Sequence, residues 1–420
     1  MAMGARLPCL QPFLKKSLNE KEMNKVLVLG AFDRYNYGDL LFPLIIEEQL
    51  KTYNPNIEFE YFGLVKSDLS DVGGKKTLDI LSFYKECNNS KAPVNVIIAG
   101  GESINATWNG LLSSISSRFA IVNKYHRQLT RFINLNSIAR FILKGQTNLP
   151  LIFAKEDFKG VDHVILNSLG GSSINDQIFS KFAVLESKLK KADYFAVRDQ
   201  KTYDVMANRG IPVNLFPDSA IIMSKFFPLN KLKELVTPDI LNYVEQNKKK
   251  FIYFQSNKGS AVNKEKLIAE KLSEIAKKHD LKIVLCPIGV ALGHEDHIPL
   301  LKIKEQLDVP VNFFDKVTIW DIMYLIGSSY AYIGTSLHGA ITAMSFDVPY
   351  IGVRIKKLDS YINTWGVKSL KGVVEFDEMP ARFEALTKVT ENELIASREH
   401  QFKQIEKSFD NIKNLILARA

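Results

Sequence analysis

Short apolar runs alternate with longer stretches of helical spacing along most of this chain. The run KVLVLGAF, Lys25–Phe32, is apolar, suits a strand and holds a glycine near its end. After a polar turn, LLFPLIIEEQLKTY reads as a helix with Pro43 near its first turn, where a missing N–H costs little. IEFEYFGL, VNVIIAGGES, HVILNSLGGSS, YFAV and PVNLFPDSAI follow as strands, each bounded by glycine or polar residues. Most are continuous apolar runs, not strict alternations, which predicts a parallel sheet covered on both faces.

A second set begins near residue 250. FIYFQSN, LKIVLCPIG, YAYIGTS and PYIGVRI read as strands, while NKEKLIAEKLSEIAKKHD, TIWDIMYLIGSS and LHGAITAMSFD read as helices. The predicted class is α/β with two Rossmann-like domains. The expected organisation is a leader over 1–22, an N-terminal domain over 23–225 and a partly helical connector over 226–248. A C-terminal domain over 249–380 and helices over 381–420 complete it.

The length of 420 residues agrees with two cores in place of one. A formal net charge of +9 favours anionic partners, but the cations are scattered and no nucleic-acid motif accompanies them. Three separated cysteines, Cys9, Cys87 and Cys286, make no disulfide or zinc framework and suit a reducing, cytoplasmic setting. No apolar run reaches the roughly 18 residues a bilayer span needs. The first residues also lack the apolar region of a signal peptide.

In doubly wound sheets, ligands bind outside the carboxyl ends of the strands, so the polar residues there are the candidates. After the first strand stand Asn36, Gly38 and Asp39, in neither a dinucleotide nor a P-loop pattern. Gly38 would admit a ligand to the backbone, and Asp39 could equally cap the helix that follows. Gly100 and Gly101 end the third strand, with Glu102 and Ser103 next; Ser168, Gly170 and Gly171 end the fourth. Arg198, followed by Asp199, could form a structural ion pair or clamp an anion.

The sharpest stretch is YIGTSLHGAI. It sets Thr335, Ser336, Leu337, His338 and Gly339 at a strand-to-helix junction, where first-turn N–H groups favour an anion. An imidazole there can move protons near neutral pH, or simply cap its own loop. Arg354, Lys356 and Lys357 follow the next strand and add positive charge, unless they are solvated surface residues. GHEDH has imidazoles, His294 and His297, spaced for a metal, but His294 follows Pro287 and two glycines as a loop would, and no metal site is expected.

Residues 118–145 mix basic residues with Ile, Phe and Leu at near-helical spacing. Such a segment either turns its apolar residues to the core or lies on an anionic membrane surface. The core-facing arrangement is the expected one.

NYGDLL, IIAGGES, VILNSLGG, AVRDQKTYDVMANRGI, FPDSAI and YIGTSLHGAI occur in the order seen in the polysaccharide pyruvyl transferase family, which the chain resembles from about Lys25 to Trp365. The resemblance implies a GT-B-like fold, with two Rossmann-like domains facing across a cleft. It also implies transfer of the enolpyruvyl unit of phosphoenolpyruvate to a saccharide, free or lipid-linked, to give a pyruvate ketal without a cofactor. The family's arginine matches Arg198 and its Leu-His pair matches Leu337 and His338. Many members carry arginine where this chain has Ser336, so positive charge must come from elsewhere, with Arg354, Lys356 and Lys357 as candidates. A nucleotide-sugar glycosyltransferase and a non-catalytic sugar-binding module are the competing readings.

Overall fold

The structure, a computed structural model, describes residues 24–129, 133–290 and 295–417. The leader expected over 1–22 and His294 of the GHEDH stretch lie outside these residues. Strands β1 (Lys25–Leu29), β2 (Glu58–Phe62), β3 (Val94–Ala99), β4 (Val161–Leu169), β5 (Tyr194–Val197) and β6 (Asn214–Leu215) form one parallel sheet, ordered β2-β1-β3-β4-β5-β6. Strands β7 (Phe251–Gln255), β8 (Lys282–Leu285), β9 (Val311–Phe313), β10 (Ala331–Gly334) and β11 (Tyr350–Gly352) form a second parallel sheet, ordered β9-β8-β7-β10-β11. Short β9, VNF, carries too little apolar pattern to be read from sequence.

Alternation by two divides the first sheet between two cores. Val26, Val28, Ile97 and Ile165 join the apolar cluster that contains the whole second sheet. Leu27, Leu29, Val96, Ile98, Val164 and Leu166 face a separate cluster with Trp108 and Phe153. Each fully buried aliphatic chain contributes about 1.5–3 kcal/mol, so both faces of these strands hold the sheet in place.

The helices used below are α1 (Tyr37–Tyr53), α2 (Trp108–Ile115), α3 (Ser117–Leu129), α4 (Leu135–Ile142), α5 (Gln200–Ala207), α6 (Leu337–Ser345), α7 (Lys356–Trp365) and α8 (Glu391–Leu417). The stretch 226–248 is largely short helices. Long α8 returns to the first domain, where the Tyr194 hydroxyl and Ser408 Oγ lie 2.7 Å apart. The two domains also meet at the cleft: Tyr37 N–H donates to the Ile288 carbonyl at 3.1 Å, and the Tyr37 hydroxyl contacts Thr342 Oγ1 at 2.7 Å.

The segment 118–145 departs from expectation. Ile121, Val122 and Tyr125 of α3, and Ile138, Phe141 and Ile142 of α4, are exposed in place of facing the core. Only Leu135 and Ala139 of α4 turn inward.

Candidate active site

Each sheet reverses its strand order once, between β1 and β3 in the first and between β7 and β10 in the second. A crevice opens at such a switch point because the crossovers leave it on opposite faces. Here the two crevices face each other. Asn36 and Asp39 follow β1, Gly101 and Glu102 follow β3, Gln255 ends β7 with Asn257 beyond it, and Thr335–His338 follow β10; all line one cleft of about 460 Å³. Arg198, Asp296 and Lys357 complete its polar lining.

His338 is the second residue of α6, whose N-cap is Ser336, with Ser336 Oγ accepting the Gly339 N–H at 3.3 Å. The serine at the position of the family arginine therefore has a local role: it satisfies a first-turn donor. The imidazole packs edge-on against Phe42, with ring centroids 5.3 Å apart. A Cβ on Gly38 would lie 1.8 Å from its Nδ1, so only glycine lets α1 approach this ring. Nε2 lies 3.6 Å from Asp218 Oδ2, within ion-pair range but too far for a hydrogen bond, and it has no hydrogen-bond partner.

Buried Arg198 is fully engaged. Its Nη1 donates to Asp218 at 2.8 Å and its Nη2 to Glu102 at 2.9 Å. Asp199 is not its partner; that carboxylate caps α5 through Thr202 N–H and accepts from Ser360 Oγ. Burial alone would raise the Asp218 pKa, but His338, Arg198 and the Ala220 N–H outweigh it and bring it to about 2. Glu102 follows the same pattern: burial opposes ionisation, and the charges of Arg198 and Lys357 reverse this and lower its pKa.

Lys357, at the start of α7, differs. It is half-buried, and it has no ion pair or hydrogen bond among the described residues. Burial and the nearby Arg198 charge lower its pKa. Asp296 is buried and asymmetric. Its Oδ2 accepts from Gln255 Nε2 at 2.7 Å and from the Ile288 and Gly289 N–H groups at 3.1 and 3.0 Å, while its Oδ1 has no partner. Burial raises its pKa to about 6.

Of the residues singled out from sequence, Asn36, Asp39, Gly101, Glu102, Arg198, Thr335, Ser336, Leu337, His338 and Lys357 line the cleft. Asp39 is not the helix cap: Asn36 holds that position and donates from Nδ2 to Asp39 Oδ2 at 2.7 Å. Gly38, Gly100, Gly170 and Gly339 stand behind the lining, against His338, Phe42, Arg198 and the Tyr332 hydroxyl, and Gly171 packs on Thr202. Ser168 is buried and donates to the Pro217 carbonyl at 3.0 Å. Arg354 pairs with Glu375 outside the cleft, and Lys356 is exposed there too. Gln255 and Asn257 carried no sequence assignment, and Asp296 was weighed only as an oxygen donor in the GHEDH metal reading. The first two could have been found from the strand-end rule that picked out the others. No group of residues suited to a metal occurs among the described residues.

The profile of the family described as polysaccharide pyruvyl transferase matches residues 36–356, which hold the whole cleft lining except Lys357. The chain belongs to this family. Among solved structures, this family member resembles UDP-GlcNAc 2-epimerase from Methanocaldococcus jannaschii at 12% identity and a TM-score of 0.53, covering 88% of this chain and 94% of that one. The corresponding Neisseria meningitidis enzyme gives 13% identity and 0.51 over 94% and 100% of the chains. The Rickettsia bellii enzyme gives 12% and 0.53 over 94% and 97%. At these identities the likeness establishes the GT-B-like fold. No curated protein matches the sequence significantly.

Proposed function

We propose that this pyruvyl transferase family member uses phosphoenolpyruvate as donor and a saccharide precursor of a surface polysaccharide as acceptor, forming a pyruvate ketal in the cytoplasm. The observation that carries this reading is Lys357, a cleft cation without a carboxylate partner beside the N-terminus of α6. First-turn N–H groups lack intrahelical acceptors, so the helix end and the ammonium together suit a small, multiply charged anion. Arg198 was the candidate anion clamp from sequence; its two carboxylate partners suit it better to holding Asp218 and Glu102 in place.

Ketal formation joins two hydroxyl oxygens to C2 of the enolpyruvyl unit and breaks the C2–O bond to phosphate. Of the two hydroxyl protons lost, one is balanced by the proton gained at C3 and the other leaves with the phosphate. Two groups that can carry protons near neutral pH are therefore wanted at the cleft surface. His338 and Asp296 line the cleft, their Nε2 and Oδ1 make no hydrogen bond, and we assign them that work. Asn36 and Asp39, on the opposite domain, orient the acceptor, which is carried on lipid at the inner face of the membrane.

Incubation of the protein with phosphoenolpyruvate and a glycolipid extract from its source cells tests the reading. Phosphate release with a product heavier by one pyruvate ketal is expected. A hexose increment drawn from a nucleotide sugar, with phosphoenolpyruvate untouched, would replace it with glycosyl transfer.

A further inference from the structure

The chain between β3 and β4 leaves the first sheet just after Glu102, on the edge that lines the cleft, and builds α2, α3 and α4 before returning. From Ser103 to Lys155 it contains no Asp or Glu, although the whole chain has 46 of them. The same stretch carries Arg118, Lys124, Arg127, Arg131, Arg140 and Lys144. Arg118, Lys124 and Lys144 are exposed and make no ion pair among the described residues.

On α3 and α4, a set of apolar residues is turned outward in register. Arg118, Ile121, Val122 and Tyr125 follow i, i+3, i+4, i+7 spacing and share one face of α3; Ile138, Phe141 and Ile142 share one face of α4. All six apolar members are exposed, and Phe141 is 84% exposed. Ile133, between the two helices, is exposed as well, whereas Val65, Leu81, Leu235, Val262 and Leu301 lie scattered elsewhere. Both helices pack on α2, exposed apolar faces of this kind mark a docking surface, and the absence of any carboxylate from Ser103 to Lys155 selects the partner. Another protein surface would ordinarily be met with charges of both signs, whereas a bilayer of anionic lipids offers one sign and an apolar interior. Beside these helices a cavity of about 610 Å³ is lined by Lys124, Lys181, Asn109, Asn123, Asn134 and Asn136, donors suited to phosphate and hydroxyl groups of lipid heads.

We propose that α3 and α4 dock the protein on an anionic membrane surface, with Ile121, Val122, Tyr125, Ile138, Phe141 and Ile142 entering the interface and the flanking cations meeting lipid phosphates. The site stands independently of the donor and acceptor assigned above.

Cosedimentation of the full chain with phosphatidylglycerol vesicles and with phosphatidylcholine vesicles tests it without either substrate. Binding to the first and not the second is expected, weakening as salt is added. Phe141→Ser with Ile142→Ser should weaken partitioning by about tenfold or more, and Arg118→Glu with Lys124→Glu should abolish the preference for anionic lipid. These side chains are exposed, so thermal unfolding of the variants should match the wild type. Equal binding to both lipids, or to neither, would overturn the proposal. So would concentration-dependent dimerisation that the Phe141 variant abolishes while lipid binding is unaffected, since the patch would then belong to a second copy of the chain.

Discussion

The two walls of the cleft hold similar residues in opposite states. On the wall from the first domain, Arg198 spends both terminal nitrogens on Asp218 and Glu102, and Glu102 also accepts from Ser172 N–H and Oγ. On the wall from the second, Lys357 has no counter-charge within ion-pair range among the described residues, and His338 Nε2 and Asp296 Oδ1 lack hydrogen bonds. Both walls are desolvated, and an unpartnered polar group in such a place costs free energy that a paired one does not. The difference teaches which residues arrange the site and which await a ligand. The first wall is a finished network, and the second is completed by what binds.

Removing a member of the finished network should have the largest effect on stability. Asp218→Ala leaves Arg198 buried without its main partner, and denaturant unfolding should show a loss of about 3–5 kcal/mol. Because Asp218 has its pKa depressed to about 2, its contribution is present above the ordinary aspartate range. It is lost as pH falls from about 4 through 2, and this acid step should be absent in the variant. Lys357→Met should behave in the opposite sense. Folding stability should hold or rise, while affinity for phosphoenolpyruvate falls by about 1.5–3 kcal/mol, the usual worth of a charged hydrogen bond.

Asp296 sharpens the contrast through pH. Its raised pKa, about 6, means the folded state holds a proton that the unfolded chain has already lost, so stability falls as pH rises from about 4 to 6. Asp296→Asn should therefore raise the melting temperature at pH 8, by the equivalent of about 1–3 kcal/mol, and change little at pH 4. The smallest effect is expected for Glu102→Gln, on the partly solvated edge of the network. About 1 kcal/mol of stability should be lost, as measured by urea unfolding.

The fold was legible because each buried strand is a continuous apolar run closed by glycine or a polar residue, and that pattern alone places the carboxyl ends where ligands gather. YIGTSLHGAI gave His338 for this reason. The three cations of GVRIKKLDSY could not be separated by pattern. Only the fold shows that Arg354, at positive φ, turns to Glu375 while the first turn of α7 brings Lys357 into the cleft. Asp296 was hidden because its burial comes from long-range packing around Gln255 and the Ile288–Gly289 backbone, which no local spacing encodes. Helical periodicity in 118–145 was visible, but periodicity gives an apolar face and not its direction.

Calorimetric titration of phosphoenolpyruvate into the wild type and Lys357→Met, with a sugar nucleotide as control, tests the central claim most directly. Phosphoenolpyruvate should bind the wild type and lose about tenfold or more in affinity for a variant that unfolds at an unchanged or higher temperature. Equal affinity in the two proteins would contradict the claim that the unpaired wall receives the donor.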